Sequence, residues 1–378
     1  MRKSGILQKL KTFEATDKPF ISIYLNAEAN EHGRDDFNIF LKKQLSVNED
    51  KFAVDSDERK SFDEDLKRIN DYAERVSASA EGVAIFACAG EDFFQTYEFD
   101  VPFEKNQFQI MNKPHIFPLA RMVDQNPQFA VVVADSDEAK IFVMQRGEIL
   151  NLEEIENEKY SRSEKGGWSQ MRFERHIDEM RKQHAKEISD ELEKIVRDED
   201  IRQIVLAGNK DVVIPLLKEE LSDFLQAKVA GEIRMEISAS EDEIKDKANS
   251  AIKQFDTLQD VEKIKQLKEE NYEGGKGITG VAETLKALAN GQVQELYLTS
   301  KFDELKYNEE DIQKILEAYA PNKEGKMFDA EHSRQIADDM ILRALDSADR
   351  IRFIEDGSLL ESFGGTAALL RYSMVANQ

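Results

Sequence analysis

SRSEKGGWSQMRFERHIDEMRKQHAKEISDELEKIVR, residues 161–197, changes character once along its length, and that change sets the reading of everything around it. The first part, SRSEKGGWSQ, is polar and carries Gly166 and Gly167, which disfavour helix and admit backbone conformations closed to other residues. From about Ser169 to Arg197 apolar residues return at helical spacing. Phe173, Ile177, Met180, His184, Ile188 and Ile195 fall on one side, and Arg175, Glu179, Lys182 and Lys186 on the other. A loop therefore feeds a long amphipathic helix, with one face for packing and the other for solvent or a polyanion such as RNA. Before the loop, FAVVVAD from Phe129 and AKIFVMQ from Ala139 flank Ser136-Asp137-Glu138, the pattern of a hairpin. After the helix come a buried strand at Ile204–Ala207 ending in Gly208, a helix over Val213–Gln226 that tolerates Pro215 near its start, and a short strand over Gly231–Ile237. Strands alternating with helices predict an α/β fold.

Further outward, Ser240 and Glu243 form a capping box that opens a charged helix ending near Asn271. Gly274, Gly275 and Gly277 then stop it, and Pro114, Pro118 and Pro127 in KPHIFPLARMVDQNPQF suit a connector on the other side. These punctuations predict three domains: 1–125, 126–273 and 274–378. In the first, FISIYL (Phe20–Leu25), Gly82–Cys88 and Phe93–Phe99 read as strands, with a charged helix over Asp55–Ser77. In the last, the pattern is a helix over Val281–Ala289, a strand over Val293–Leu298, helices near Glu309–Ala318 and Ser333–Ser347, and strands over Arg350–Ile354 and Thr366–Tyr372.

A chain of 378 residues, 40% apolar and 34% charged, has material for real cores, so disorder is not the default. No run approaches the roughly 20 apolar residues of a membrane span, and MRKSGILQKLKTFEATDKPF has no apolar signal core; both predict a cytoplasmic protein without a membrane partner. Cys88, the single cysteine, sits in GVAIFACAG as a buried thiol rather than a nucleophile. The net charge of −24 excludes a protein that coats nucleic acid over its whole surface. Between Arg162 and Lys186, however, seven Lys and Arg face four Asp and Glu, a basic island in an acidic chain. His176 and His184 lie on different helix faces without a carboxylate partner, Asp135 and Asp137 read as turn formers, and GxxxxGK[ST] is absent. Neither a metal nor another cofactor is expected, and nucleotide hydrolysis would have to come from a partner.

Ser163–His176, SEKGGWSQMRFERH, resembles the Gly-Gly-Gln loop and following helix of the eukaryotic and archaeal class-one release factors. Gly166-Gly167 match the two glycines; Arg172-Phe173 and Arg175 match the helix start without a gap. Two further segments in the same order resemble the third domain's opening (GVAETLKAL, from Gly280) and closing strand (FGGTAALLRY, from Phe363). The resemblance is to the peptide-release-factor and Pelota superfamily, nearest its bacterial and archaeal release-factor-like members. It implies a ribonuclease H-like middle domain, a C-terminal α/β domain like kink-turn ribosomal proteins, and a divergent N-terminal α/β domain. The implied partners are the ribosome and peptidyl-tRNA, with a translational GTPase beside them. Two departures stand out. Trp168 occupies the family's glutamine position, with Gln170 two residues later, and neither the stop-codon-reading Asn-Ile-Lys-Ser motif nor its domain is recognisable.

The residues suit that chemistry. Gly166 and Gly167 let the backbone approach a crowded tRNA end and expose amide donors to a developing oxyanion. Gln170 can orient water without acting as a strong base, with Ser169 either helping it or capping the helix. Trp168 either stacks on the tRNA end or packs the loop at rest. Lys165, Arg172, Arg175, Lys182 and Lys186 would hold phosphates without reading sequence. Three functions compete: a rescue factor that hydrolyses or cleaves peptidyl-tRNA, a Pelota-like factor that occupies the ribosome without chemistry, and an acidic adaptor that reuses the fold for protein contacts.

Overall fold

The computed structural model describes residues 3–14, 16–28, 37–49, 51–99, 101–145, 148–156, 168–199, 201–272, 275–306, 313–315 and 333–372. Their contacts gather into two units, one formed by residues 1–125 with 263–378 and the other by residues 126–262. Both are mixed α/β, and no described helix is long and apolar enough to cross a membrane.

The first segment runs α1 (Lys3–Lys11), β1 (Phe20–Asn26), α2 (Phe37–Glu49), α3 (Asp57–Ala73), β2 (Gly82–Cys88), β3 (Phe93–Phe99), β4 (Gln107–Met111) and α4 (Phe117–Gln125). Its sheet, in the order β3-β2-β1-β4, is antiparallel throughout. Successive residues of β1 and β2 serve opposite faces: Ile21, Ile23, Val83 and Ile85 pack with α2 and α3, whereas Phe20, Tyr24, Ala84 and Phe86 enter a second core. The helix expected from Asp55 starts two residues later because Ser56 Oγ accepts the Arg59 N–H at 3.0 Å and so caps it. Burial raises the Cys88 thiol to about 11, which keeps it un-ionised at neutral pH. The proline-rich stretch is not an irregular connector. Phe117–Gln125 folds as α4 with Pro118 in its first turn, where a missing N–H leaves no intrahelical bond unmade.

The second unit holds β5 (Gln128–Ala134), β6 (Glu138–Gln145), β7 (Glu148–Glu156), α5 (Trp168–Asp198), β8 (Gln203–Gly208), α6 (Val213–Glu220), α7 (Asp223–Gln226), β9 (Val229–Arg234) and the start of α8 (Glu241–Tyr272). The expected hairpin is present: β5 and β6 pair antiparallel, and the Asp135 N–H closes the turn on the Glu138 carbonyl at 2.8 Å. The sheet order is β7-β6-β5-β8-β9, with β8 parallel to both β5 and β9. Counted within the unit this is 3-2-1-4-5 with the second strand reversed, as in a ribonuclease H-like sheet. The helix expected over Val213–Gln226 is broken, since Leu221 is extended and Ser222 caps a new short helix. Ala130, Val132 and Ile204 face α5 and α6, while Phe129, Val131 and Val205 face Ile244, Ala248 and Ile252 of α8.

The last segment adds β10 (Gly277–Thr279), α9 (Val281–Ala289), β11 (Val293–Thr299), α10 (Ser333–Ser347), β12 (Arg350–Ile354) and β13 (Thr366–Leu370). The helix expected near 309–318 lies largely outside the described residues. The sheet order is β10-β13-β11-β12, and only the β11–β12 pair is parallel. Glycine is required at the start of β10, because a β-carbon on Gly277 would collide with the Leu267 carbonyl oxygen. The first and last segments share one core, in which Phe20, Phe86 and Phe117 pack with Leu296, Ile341 and Phe353. At its centre the fully buried His115 places Nδ1 2.8 Å from Asp338 Oδ2. Asp338 Oδ1 accepts the Ile116 and Phe117 N–H groups at 2.9 Å each, so a carboxylate from α10 caps α4. Lys11–Asp346, Lys105–Glu304, Lys113–Asp339 and Arg121–Glu355 join the same two segments with the cation on the first, and Arg352–Asp124 joins them with the cation on the last.

Candidate nucleic-acid interface

The residues singled out in the sequence lie on α5 and in the residues that precede it. Trp168, Ser169, Gln170 and Arg172 are among its opening residues, and Arg175, Lys182 and Lys186 follow. Lys165, Gly166 and Gly167 lie outside the described residues, as do the side chains of Trp168, Ser169, Gln170 and Arg172. Ser169 is the helix's second residue, which puts it inside the first turn rather than ahead of it.

Burial along α5 comes in two stretches. From Arg175 to Gln183 no residue is buried, and Ile177 and Met180 are only half-buried. From His184 onward the apolar stripe packs: Ala185, Ile188, Leu192, Ile195 and Val196 enter the core against β5, β6, β8 and α6. Each fully buried aliphatic there is worth about 1.5–3 kcal/mol, so this part of the helix is anchored by its own packing. His184 stands at the transition. Its ring is bonded to the Glu138 backbone at the β5–β6 turn, and burial holds its pKa below the usual histidine range. His176, eight residues earlier, is exposed.

Among the described residues Arg175, Lys182 and Lys186 have no carboxylate within ion-pair distance, whereas Arg181 faces Asp178 at 4.0 Å. At spacings of seven and four residues the three free cations line one side of the helix over about 16 Å. The first turn of α5 contains no acidic residue. The partial positive charge of about half an electron at that end therefore has no acid within the first turn to offset it. This feature was legible in the sequence as WSQM, but its meaning depends on the helix starting at Trp168. The arrangement can hold phosphates and favour a developing oxyanion near its N-terminus. Among the described residues no group of three or more His, Cys, Asp or Glu could hold a metal ion.

Residues 114–253 match the family model described as bacterial archaeo-eukaryotic release factor family 10. Peptide chain release factor subunit 1 of Methanobrevibacter smithii is 24% identical over 314 residues, covering 75% of each chain. Eukaryotic peptide chain release factor subunit 1 of Schizosaccharomyces pombe is 23% identical over 306 residues, covering 72% of this chain and 70% of that one. Among solved structures, Dom34 of Saccharomyces cerevisiae, a translation termination-like factor involved in RNA quality control pathways and interacting with Hbs1, aligns with a TM-score of 0.44 and 12% identity over 78% of this chain and 80% of that one.

Proposed function

We propose, from the matches to release-factor family members, that the chain is a translation factor of the peptide-release-factor and Pelota superfamily and a ribosome-associated rescue factor acting on peptidyl-tRNA. The reading is carried by the row of free cations on α5, of which Arg175 and Lys182 lie on a stretch that buries no described residue and Lys186 follows just beyond it. In a chain of net charge −24 such a row is suited to local phosphate contact and to little else. Lys165 and Arg172 extend it toward the loop, and Trp168 stacks on the tRNA end. Gly166 and Gly167 bring backbone amides to the ester carbonyl, and Gln170 orients the attacking water, with Ser169 beside it. Water adds to the carbonyl carbon, the bond to the ribose oxygen breaks, and that oxygen leaves with a proton.

A second reading, Pelota-like occupancy without chemistry, is favoured by one observation: Trp168 stands where the resemblance calls for glutamine. One experiment separates the two. Purified protein is incubated with stalled ribosome complexes carrying labelled peptidyl-tRNA, and free peptide, intact tRNA and end-shortened tRNA are resolved on a gel. Free peptide with intact tRNA supports hydrolysis, and end-shortened tRNA points to RNA cleavage. Binding without either product replaces the enzyme by the occupancy factor. Failure to bind leaves the acidic adaptor, with a translational GTPase as the first partner to try.

A further inference from the structure

The first segment carries a second surface that the reading above does not use, on the outward side of α2. The inward side is ordinary: Phe37 and Leu41 enter the β1–β2 core and Leu45 is buried. The outward side is not. Ile39 and Val47 are 71% and 61% exposed, and Val54, in the turn before α3, is 83% exposed. Ile39, Lys43 and Val47 follow one another at four-residue spacing and form a single ridge, with Lys42 and Ser46 alongside. Among the described residues Lys42, Lys43 and Lys51 are exposed and have no carboxylate within ion-pair distance. Isolated exposed aliphatics need no explanation. Two on one helical ridge, set among free lysines in a chain with 76 acidic residues to 52 basic ones, are a different matter.

We propose that the outward face of α2 is a docking surface for an acidic amphipathic segment of a partner protein. Charge complementarity selects the sign. Free lysines flanking an apolar ridge match carboxylates flanking apolar residues at helical spacing, which would cover Ile39 and Val47 while neutralising Lys42 and Lys43. RNA fits less well, because Ile39, Val47 and Val54 offer no ring for a base to stack on, and lysines alone would give only backbone contact. The surface does not depend on α5, so it can stand or fall separately from the rescue reading.

The test uses the full chain in cells, with a photo-crosslinking amino acid at Ser46 and, as a control, at the exposed Asp71 of α3. The expected product is a cross-link from position 46, and not from 71, to a protein segment rich in Asp and Glu with apolar residues at four-residue spacing. Its yield should fall about tenfold in Lys42→Glu/Lys43→Glu and again in Ile39→Ser/Val47→Ser, with circular dichroism unchanged since all four side chains are exposed. A cross-link to RNA, to a second copy of this chain, or to a basic or featureless segment would overturn the proposal. So would a yield at 46 no greater than at 71, or equal yield in the charge-reversed chain.

Discussion

Two helices of nearly equal length, α5 with 31 residues and α8 with 32, solve the problem of their own N-termini in opposite ways. Ser240 precedes α8 and its Oγ accepts the Glu243 N–H at 3.3 Å, while Glu241, Asp242 and Glu243 set three carboxylates against the positive end of the dipole. The helix then uses its apolar residues near the start, with Ile244 and Ala248 buried. In α5 the first turn has no acid, free cations follow, and the first buried side chain among the described residues is His184. A helix that only had to be stable would resemble α8. The start of α5 has no acid in its first turn, and the packing of its described residues lies in the half from His184 onward.

That contrast can be broken by experiment, beginning where the largest effect is expected. Gln170→Ala should slow single-turnover loss of peptidyl-tRNA by about 100-fold with ribosome binding nearly intact, because the contact matters at the transition state. Gly167→Ala should cost at least as much, through the lost approach of the backbone. Full rate in Gln170→Ala with none in Gly167→Ala would make the backbone amides the sole donors. Next, Arg175→Glu with Lys182→Glu should weaken ribosome or tRNA binding and lower the salt slope of log affinity by about 2, one per phosphate contact. An unchanged slope, measured between low and moderate salt, would remove the row from the interface.

Exchanging the two helix starts gives a smaller and more diagnostic effect. Ser169→Glu should stabilise the protein by about 0.3–1 kcal/mol in thermal melts while weakening RNA binding. Asp242→Lys should destabilise it by a similar amount and leave RNA binding alone. Both changes moving stability and binding together would mean that the two starts are not specialised. The smallest expected effect concerns His184. Its pKa is lowered in the folded state by burial, so the unfolded chain takes up the proton first. Stability should be complete above the ordinary histidine pKa of about 6.5 and decline as pH falls below it. His184→Gln should flatten that acid limb of the melting curve, and an identical pH profile would show that the ring is not the titrating group.

The sequence was most legible where the free energy is local. Ser240 with Glu243 announced α8, the helical stripe announced α5, and helix Val281–Ala289 and strand Arg350–Ile354 fall where their patterns put them. Other elements were missed for a common reason. EILNLEEIE gives β7 only because β6 pairs with it over the whole length, and its four glutamates hide the strand pattern. Gln107–Met111 becomes β4 by pairing with β1. The candidate site divides the same way. Its residue types and the basic island were readable, but not the point along α5 where burial begins.

By itself, then, the sequence determined the hairpin, the long helices and the basic island, because spacing, capping and charge act over a few residues. Only the tertiary structure decided that the first and last segments form one core and that the proline-rich stretch is helical. The cap of α4 is Asp338, 222 and 221 residues from the Ile116 and Phe117 amides it accepts. No local pattern encodes a hydrogen bond whose partner is brought near only when both sheets have folded and buried the apolar side chains between them.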